Sequence, residues 1–319
     1  MDFYKLYIML KHDNNLGSKP FLKWAGGKKQ LLPVIEGRFP REIRKTHKID
    51  KYFEVFVGGG ALFFHLMNNY EINESYLYDI NKELILTYKV IQKDPKKLIK
   101  LLSELEEEYV PLEQDSRKEY YLKVRSSFNL DLEGFDYENY SDEHIVRASQ
   151  VIFMNKTCFN GLFRLNRHGM FNVPHGRYKK PLICDEKNIN AVSKTLKNTH
   201  IIHGNYYESE DLIDENSLVY LDPPYRPLSS KSNFTTYAGF EFTDEHQIEL
   251  AKFYERISDK GAKAILSNSD PKNEDENDNF FDDLYDREDF IIERVQAKRS
   301  INSNGKNRGP INEILVMNY

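Results

Sequence analysis

Short apolar runs alternate with helical patterns along most of the chain, which is typical of an α/β fold with a mostly parallel sheet. Seven runs have the length and composition of buried strands, at 52–57, 75–79, 200–204, 218–222, 262–267, 290–295 and 313–317. Helical periodicity lies between them at 61–66, 84–91, 186–196 and 244–258. The pattern therefore predicts an open sheet of about seven strands with helices packed against it.

The pattern changes between residues 95 and 181. Three helical stretches at 96–108, 117–127 and 143–155 come without strands between them, and a run rich in aromatic and basic residues follows. We therefore expect an inserted helical domain within a sheet domain. The expected boundaries are an N-terminal tail at 1–17, a sheet domain at 18–94 and 182–319, and the insertion at 95–181.

The strand at 218–222 ends in Asp222-Pro223-Pro224-Tyr225. Two prolines prevent the strand from continuing and a helix from beginning, so they form a rigid corner at the carboxyl edge of the sheet, where ligands bind in open α/β folds. A fixed carboxylate, free carbonyls and an aromatic ring suit a planar amino-bearing ring such as a nucleobase. The alternative is a simple turn in which Asp222 caps the loop.

Two other strand ends carry residues suited to a nucleoside ligand. Gly58-Gly59-Gly60 follow the strand at 52–57 directly and precede a helix, so a ligand can approach the backbone there. The spacing is not Gly-x-Gly-x-x-Gly, which argues against a dinucleotide. Asp79 ends the next strand, where an acid can bind ribose hydroxyls. The alternative is that Asp79 only caps the following helix, for which Asn81 is also a candidate cap.

The segment Phe21–Lys28, FLKWAGGK, precedes a helical pattern. Its glycine pair and Lys28 are suited to an anion at a helix start, although the spacing is not that of a P-loop. The single tryptophan, Trp24, is by itself better explained as a core residue than as a stacking platform.

Charge is strongly segregated along the chain, although the net charge is only -5. Residues 156–180 contain six Lys or Arg and no acid, and residues 297–312 contain four and no acid. Residues 270–286 contain eight acids and one lysine, and we expect them to form a mobile acidic loop. A polyanion is attracted to the first two segments and repelled by the third.

Aromatic residues interleave with the bases of 156–180, which we call the basic loop; they are Phe159, Phe163, Phe171 and Tyr178. Phosphate contacts combined with stacking are typical of a nucleic-acid surface. The alternative is a solvated basic loop.

Composition excludes several classes of protein. Charged residues make up 30% of the chain and its mean hydropathy is -0.66, and no run approaches the ~18 apolar residues that a spanning helix needs. Cys158 and Cys184 form neither a disulfide framework nor a metal-ligand spacing. We expect a protein of the reducing cytoplasm with no membrane segment and no metal.

Six segments together resemble the Dam-type, D12-class DNA adenine-N6 methyltransferases. They are FLKWAGGK at 21–28, FEVFVGGG at 53–60, YDIN at 78–81, NGLFRLN with FNVPHGRYKK across 160–180, LDPPY at 221–225 and KRSINSNG at 298–305. They occur in the family's order and span nearly the whole chain after the tail. The resemblance implies a class I methyltransferase sheet, S-adenosylmethionine (AdoMet) as methyl donor, and an inserted domain that recognises double-stranded DNA.

The resemblance also implies roles for individual positions. Catalysis is implied for Asp222, Pro223, Pro224 and Tyr225; AdoMet binding for Trp24, Lys28, Phe56, Gly58, Gly60, Asp79 and Asp222; and DNA contact for Lys23, Phe159, Asn160, Arg164, Arg177 and Tyr178. Phe159 falls where the family can carry an aromatic wedge. Asn205 stands where some relatives have an acid, so we assign it no cofactor contact.

The implied reaction is methylation of adenine N6 in GATC. The base is flipped out of the duplex, Asp222 and a carbonyl of the proline corner accept the N6 hydrogens, and Arg164 or Arg177 reads guanine. We expect a monomer that forms no stable complex with a restriction endonuclease, whether or not one accompanies it. Two alternatives stay open: methylation of cytosine N4 or another amino group on the same fold, and a DNA-binding protein without turnover.

Overall fold

The computed structural model describes residues 17–24, 26, 28, 30–130, 132, 134–166, 168–226, 236–237, 240–298 and 310–319. Two expectations lie outside this part of the chain. They are the N-terminal tail, of which only Gly17 is described, and the KRSINSNG segment beyond Lys298.

The described strands form one seven-stranded sheet and a separate two-stranded ribbon. They are β1 (Lys48–Glu54), β2 (Glu71–Asp79), β3 (Thr199–His203), β4 (Ser217–Leu221), β5 (Thr236–Tyr237), β6 (Phe240–Glu241), β7 (Lys263–Ser269), β8 (Ile291–Lys298) and β9 (Pro310–Met317). The large sheet has the order β3-β2-β1-β4-β7-β9-β8, and β5 pairs with β6. β4 runs parallel to β1 and β7, whereas β9 runs antiparallel to β7 and β8.

Ten α-helices are described, together with short 3-10 turns. They are α1 (Leu32–Glu36), α2 (Arg41–Thr46), α3 (Ala61–Asn69), α4 (Lys82–Lys93), α5 (Pro95–Tyr109), α6 (Gln114–Leu130), α7 (Asp142–Thr157), α8 (Glu186–Thr195), α9 (Asp244–Asp259) and α10 (Phe280–Leu284). The mixed α/β architecture and the seven-stranded, mostly parallel sheet confirm the predicted class I methyltransferase fold.

All seven predicted strands of the large sheet are present. β2, β8 and β9 are each three or four residues longer at one end than predicted, and β1 is displaced at both ends. The sequence predicts 52–57, whereas β1 covers Lys48–Glu54 and the chain then turns. Backbone contacts continue beyond it, since the Val55 N–H lies 3.4 Å from the Tyr220 carbonyl and the Val57 N–H lies 2.9 Å from that of Tyr78. The sequence predicts a strand throughout because the apolar run continues through the turn.

Asn81, not Asp79, caps the helix after β2. The Asn81 Oδ1 accepts from the Leu84 backbone N–H at 3.1 Å, which satisfies one of the unpaired donors at the start of α4. The alternative interpretation of Asp79 as the helix cap is therefore wrong.

The chain divides into two compact units. Unit 1 consists of Met1–Gly27, Gly58–Glu71 and Asn81–Ile201, and unit 2 of Lys28–Val57, Ile72–Ile80 and Ile202–Tyr319. These bounds are not those of the predicted domains, because α3 and α4 belong to the same unit as the helices of the proposed insertion. The insertion at 95–181 as a separate recognition domain stays a prediction.

The core of unit 2 contains side chains from the central strands and from α9. Phe53, Val219, Leu266 and Val316 come from β1, β4, β7 and β9, and all four are fully buried. Because alternate residues of these strands face the same core, the strand ends are fixed relative to one another. A residue that follows β1 or β4 directly is therefore held on a rigid support.

Unit 1 contains a buried ion pair between two of its helices. Arg147 of α7 is 2% exposed, and its Nε lies 2.9 and 2.8 Å from the two carboxylate oxygens of Glu83 in α4. The guanidinium also lies 4.1 and 4.7 Å from the ring centroids of Phe128 and Phe135, and it donates to the Phe128 carbonyl at 3.2 Å. The pair therefore ties α4 to α7.

The acidic segment 270–286 contains regular structure, whereas its composition predicts a loop; its mobility stays a prediction. It contains a 3-10 turn at Pro271–Asn273 and the helix α10. Its acids meet three cations: Asp270 and Asp282 bind Arg294, Asp282 also binds Lys272, and Asp278 binds Arg226. The sequence showed the excess of acids but not the distant arginines that neutralise them.

Candidate active site

The organising feature of unit 2 is the proline corner, residues 222–225, which directly follows β4. The sheet order changes direction at β1 and β4, and such a switch point opens a crevice at the carboxyl ends of the strands. β4 is buried along its whole length. Asp222 is therefore held by a buried strand at the edge where ligands bind.

Two donors hold one oxygen of the Asp222 carboxylate. Lys28 Nζ lies 3.0 Å from Asp222 Oδ1, and the Ser267 hydroxyl donates to the same oxygen at 3.1 Å. Tyr220 extends this arrangement, because its hydroxyl lies 3.0 Å from Ser267 Oγ. Both bonds end on Oδ1. Of the two carboxylate oxygens, Oδ2 is therefore the one that none of the described contacts uses.

Glu313 of β9 and Tyr225 complete the cluster around Lys28. Lys28 is 6% exposed and bonds to the Tyr225 hydroxyl, which donates to Glu313 Oε2 at 2.6 Å. The same carboxylate oxygen lies 3.6 Å from Lys28 Nζ. We call Lys28, Asp222, Tyr225 and Glu313 the lysine cluster.

Burial shifts the pKa values of three groups at and beside the proline corner, Asp222, Tyr220 and Tyr225. Loss of hydration raises the pKa of the Asp222 carboxyl, and the nearby Lys28 ammonium acts in the opposite direction. Burial also raises the pKa of the Tyr220 and Tyr225 hydroxyls well above their usual range, so both remain protonated donors at neutral pH. Asp222 is thus a carboxylate of increased basicity, as proton acceptance requires.

One carbonyl of the proline corner is bonded to a glutamine of α9. Gln247 of α9 donates from Nε2 to the Pro224 carbonyl at 3.2 Å, and its Oε1 accepts from Asn268 of β7. Asn268 Oδ1 in turn accepts from the Arg226 backbone N–H at 3.2 Å. The Pro224 carbonyl therefore has a hydrogen-bond partner within the protein.

A pocket of about 320 Å³, counting its opening to solvent, borders the corner at Pro224. Its other lining residues are Phe56, Asp79, Ile80, Asn205, Tyr206 and Phe242. The walls are mainly apolar and include three aromatic rings, with the Phe56 ring centroid 5.4 Å from that of Tyr206 and 6.0 Å from that of Phe242. A flat ring with a hydroxyl-bearing sugar suits these walls together with the polar side chains of Asp79 and Asn205.

Sequence reasoning assigned Phe56 and Asp79 to such a site but passed over Asn205. The structure places Asn205 in the pocket lining, at the turn that follows β3. The signal available in the sequence was its position at the end of a strand, which had been noted but discounted because the residue is not an acid.

Trp24, Gly58 and Gly60 lie together in unit 1. A Cβ at Gly58 would stand 2.8 Å from Trp24 Cδ1, and one at Gly60 would stand 2.6 Å from the Tyr88 hydroxyl, so neither position has room for a side chain. Both glycines also have positive φ, 47° and 66°. Trp24 also stacks on Phe163 of the basic loop, with ring centroids 5.6 Å apart. Its side chain is partly exposed, so it is not a fully buried core residue.

Asn155, a buried residue of α7, joins Lys23 to the basic loop. Its Oδ1 accepts from the Lys23 backbone N–H at 2.9 Å, while its Nδ2 donates to the carbonyls of Lys23 and Gly161, both at 2.9 Å. Phe159, within the same loop, is 53% exposed. These bonds therefore hold the Lys23 backbone against the loop that carries this exposed aromatic ring.

The predicted DNA-contacting residues occupy one loop system in unit 1. Asn160 and Arg177 have positive φ, 59° and 52°, which is uncommon for non-glycine residues and is concentrated at functional sites. Arg164 is exposed and its Nε donates to Asn172 Oδ1 at 3.0 Å. Lys23 Nζ lies 5.0 Å from the Tyr178 ring centroid.

Arg117 of α6 is a buried residue that bonds to the backbone of this loop. Sequence reasoning did not identify it. It is 7% exposed and donates from Nη1 to the carbonyls of Tyr178 and Lys179 at 3.0 and 2.8 Å. Tyr109 of α5 acts similarly, because its hydroxyl lies 2.6 Å from His175 Nε2. No local pattern distinguishes such a buried arginine from an exposed helix residue.

The predicted site residues thus fall into two groups. Lys28, Phe56, Asp79 and Asp222–Tyr225 belong to unit 2, while Trp24, Lys23, the two glycines and the residues of the basic loop belong to unit 1. Within unit 2, Lys28 contacts the proline corner, whereas Phe56 and Asp79 line the pocket.

This chain belongs to the D12 class of N6 adenine-specific DNA methyltransferases, whose family model matches residues 24–301. It is accordingly an enzyme, an adenine-specific DNA methyltransferase that acts on DNA, and the family implies AdoMet as its methyl donor. The recognition made from the six sequence segments is confirmed.

Three relatives illustrate the similarity. Type II methyltransferase M.MjaIII of Methanocaldococcus jannaschii is 48% identical over 94% of this chain and 99% of its own. Type II methyltransferase M1.LlaDCHI of Lactococcus lactis subsp. cremoris is 37% identical over 97% and 99%. DNA adenine methylase of Escherichia coli K12 is 33% identical over 94% and 95%.

Metal-binding clusters and membrane-spanning helices are absent from the described residues. No group of three or more His, Cys, Asp or Glu side chains is placed there to hold a metal ion. None of the helices described above is long and apolar enough to cross a membrane.

Proposed function

We propose that this enzyme methylates adenine N6 in duplex GATC sites after flipping the base into the edge of the sheet beside Asp222. The observation that carries the proposal is the orientation of the Asp222 carboxylate, whose Oδ1 is held by Lys28 and Ser267 while Oδ2 has no such donor. A carboxylate held in this way is preorganised to accept hydrogen from an amino group that arrives at the corner.

The two hydrogens of N6 bond to Asp222 Oδ2 and to the Pro223 carbonyl. Adenine N6 is a weak nucleophile because its lone pair is delocalised into the ring, and these two acceptors favour a pyramidal nitrogen whose lone pair points away from the ring. Tyr225 stacks on the base and fixes its plane. Flipping costs about a few kcal/mol, and these contacts together with the loop's DNA contacts offset that cost.

AdoMet supplies the methyl group. Phe56, Asp79 and Asn205 hold it in unit 2, with Asp79 on the ribose hydroxyls, and the pocket's border at Pro224 supports this assignment. Trp24, Gly58 and Gly60 contribute through the glycine turn that follows β1. No metal is needed, because the transfer depends on positioning and on exclusion of water.

The basic loop reads the target, within a recognition domain at 95–181. Arg164 or Arg177 bonds to guanine O6 and N7, Asn160 and Tyr178 make further contacts, Lys23 contributes positive charge, and Phe159 is the wedge. GATC is proposed because the loop sequence resembles that of family members with this target.

The target assignment has a direct test. DNA from cells expressing the enzyme is sequenced for modified bases, and N6-methyladenine is expected in GATC with the other adenines unmodified. N4-methylcytosine in digested product would favour the alternative acceptor. Tight DNA binding without tritium transfer from labelled AdoMet would favour a protein without turnover.

Arg164→Ala and Lys179→Ala separate base reading from phosphate contact. We expect Arg164→Ala to lose ~1–3 kcal/mol of discrimination at one base pair, because a bidentate guanine contact disappears. Lys179→Ala should instead weaken binding to every sequence and reduce the salt slope by about 1, because one phosphate contact is lost. Fluorescence anisotropy on GATC duplexes and single-substituted duplexes at several salt concentrations measures both effects.

Arg164→Ala and Lys179→Ala are controls for each other, because both residues are exposed on the same loop. Equal losses on specific and random DNA in both variants would show that the division into reading and positioning residues is wrong.

We also propose that the enzyme acts as a monomer. Two of the relatives described above are named Type II methyltransferases, so a separate restriction endonuclease is a reasonable partner in the cell, without a stable complex. Light scattering of the purified enzyme, alone and with DNA, measures the stoichiometry directly.

A further inference from the structure

Lys28 lies between two carboxylates. Its Nζ is 3.0 Å from Asp222 Oδ1 and 3.6 Å from Glu313 Oε2, and the side chains of Lys28 and Glu313 are only 6% and 13% exposed. With both acids ionised, one positive charge is therefore shared by two negative charges in a poorly hydrated place. The lysine therefore stabilises the ionised form of each carboxylate less than it would stabilise that of a single carboxylate.

A second contact joins Glu313 to the proline corner. The Tyr225 hydroxyl donates to Glu313 Oε2 at 2.6 Å, so the acid fixes the side chain whose ring stacks on the base in the mechanism above. Glu313 itself lies on β9 and is directed at the hydroxyl and the ammonium. It acts on the reaction through these two groups.

We propose that Glu313 is a positioning residue for methyl transfer, which holds Tyr225 and draws part of the Lys28 charge from Asp222, so that Asp222 stays basic enough to accept the N6 proton. This inference rests on the role proposed above for Asp222. In that step the N6 lone pair forms the bond to the methyl carbon, and the carbon–sulfur bond breaks with its electrons on sulfur. A proton then leaves N6 for Asp222 Oδ2, and the N–H electrons remain on nitrogen.

Each charged neighbour of Asp222 shifts the pKa of its carboxyl in a direction set by the neighbour's charge. Negative Glu313 raises the pKa of the Asp222 carboxyl, while positive Lys28 and the Ser267 hydroxyl lower it. Tyr220 and Tyr225 are neutral hydroxyls whose pKa values are raised. Tyr52, also neutral, holds the more distant Glu54, to which its hydroxyl donates at 2.7 Å. Removing the charge of Glu313 should therefore lower the pKa of the Asp222 carboxyl, and removing the charge of Lys28 should raise it.

The test is the pH dependence of the single-turnover rate with saturating AdoMet and duplex DNA. In Glu313→Gln we expect the acid limb to move to lower pH and the plateau rate to fall several-fold, because a more acidic Asp222 is a weaker base. In Lys28→Gln the acid limb should move to higher pH. The matched control is Glu293→Gln on the neighbouring strand β8, whose carboxylate pairs with Arg38, and it should leave the profile unchanged.

An acid limb of Glu313→Gln at the wild-type pH or above it would overturn the inference, whatever the plateau rate, because a purely structural role lowers the rate without this shift. If circular dichroism shows that this variant is unfolded, Glu313→Thr, whose branched side chain suits a strand, carries the same expectation. Asp222→Asn distinguishes the two failures. Wild-type rate in that variant would refute the proposed role of Asp222, whereas a lost rate with an unmoved Glu313 profile refutes the Glu313 inference alone.

Discussion

Asp222→Ala should reduce the single-turnover rate of methyl transfer by about 10³-fold or more. The substitution removes both the hydrogen-bond acceptor and the proton acceptor for N6, and general-base catalysis alone is typically worth 10²–10⁴-fold. AdoMet binding should be retained at least in part, because Phe56, Asp79 and Asn205 remain in the pocket. Tritium transfer from labelled AdoMet gives the rate, and calorimetry gives the affinity.

The variant should fold, because Lys28 keeps Glu313 and the Tyr225 hydroxyl as partners when Asp222 is absent. Its control is Ser267→Ala, which removes one donor to Oδ1 and leaves the acceptor in place, so the rate should fall much less. Asp222→Ala with a rate similar to that of Ser267→Ala would refute the assigned mechanism.

The fold and the proline corner were predictable because their signals are local. β4 and the abrupt stop at Asp222-Pro223 are visible in eight consecutive residues, and Asn81 as the cap of α4 follows from its position before a helical pattern. Every predicted strand of the large sheet is present for the same reason. A strand and its terminating residues depend mainly on their own sequence.

The electrostatic partners were not predictable, because they are distant in sequence. Lys28 lies 197 positions before Tyr225 and almost as far before Asp222. The sequence therefore suggested an anion for Lys28 but not the Asp222 carboxylate that it binds. Glu313 was read only as part of a strand, since an acid in a strand pattern is usually solvated. Arg226 and Arg294 likewise convert an acidic run into ordered structure through contacts that periodicity does not encode.

The same limit applies to the buried ion pair of unit 1, which has the largest expected effect on stability. Helical periodicity placed Glu83 and Arg147 on helices, but 64 positions separate them and nothing local shows that they meet. A buried charge pair stabilises little relative to apolar residues, whereas removal of one partner leaves the other charge buried alone. The consequence is a sharp asymmetry between single and double substitution.

Arg147→Met should lower the free energy of unfolding by about 3–5 kcal/mol, because the Glu83 carboxylate loses its only described cation. The double variant Glu83→Gln/Arg147→Met should recover a large part of this loss, since no ionised group is then left buried and Tyr137 keeps an oxygen acceptor. Urea unfolding followed by circular dichroism measures both. Lys97→Met is the matched control, because the exposed Lys97–Asp142 pair also joins a helix to α7 and its loss should have no measurable effect. A single variant no less stable than this control, or a double variant as unstable as the single one, would show that the buried pair does not secure α4 to α7.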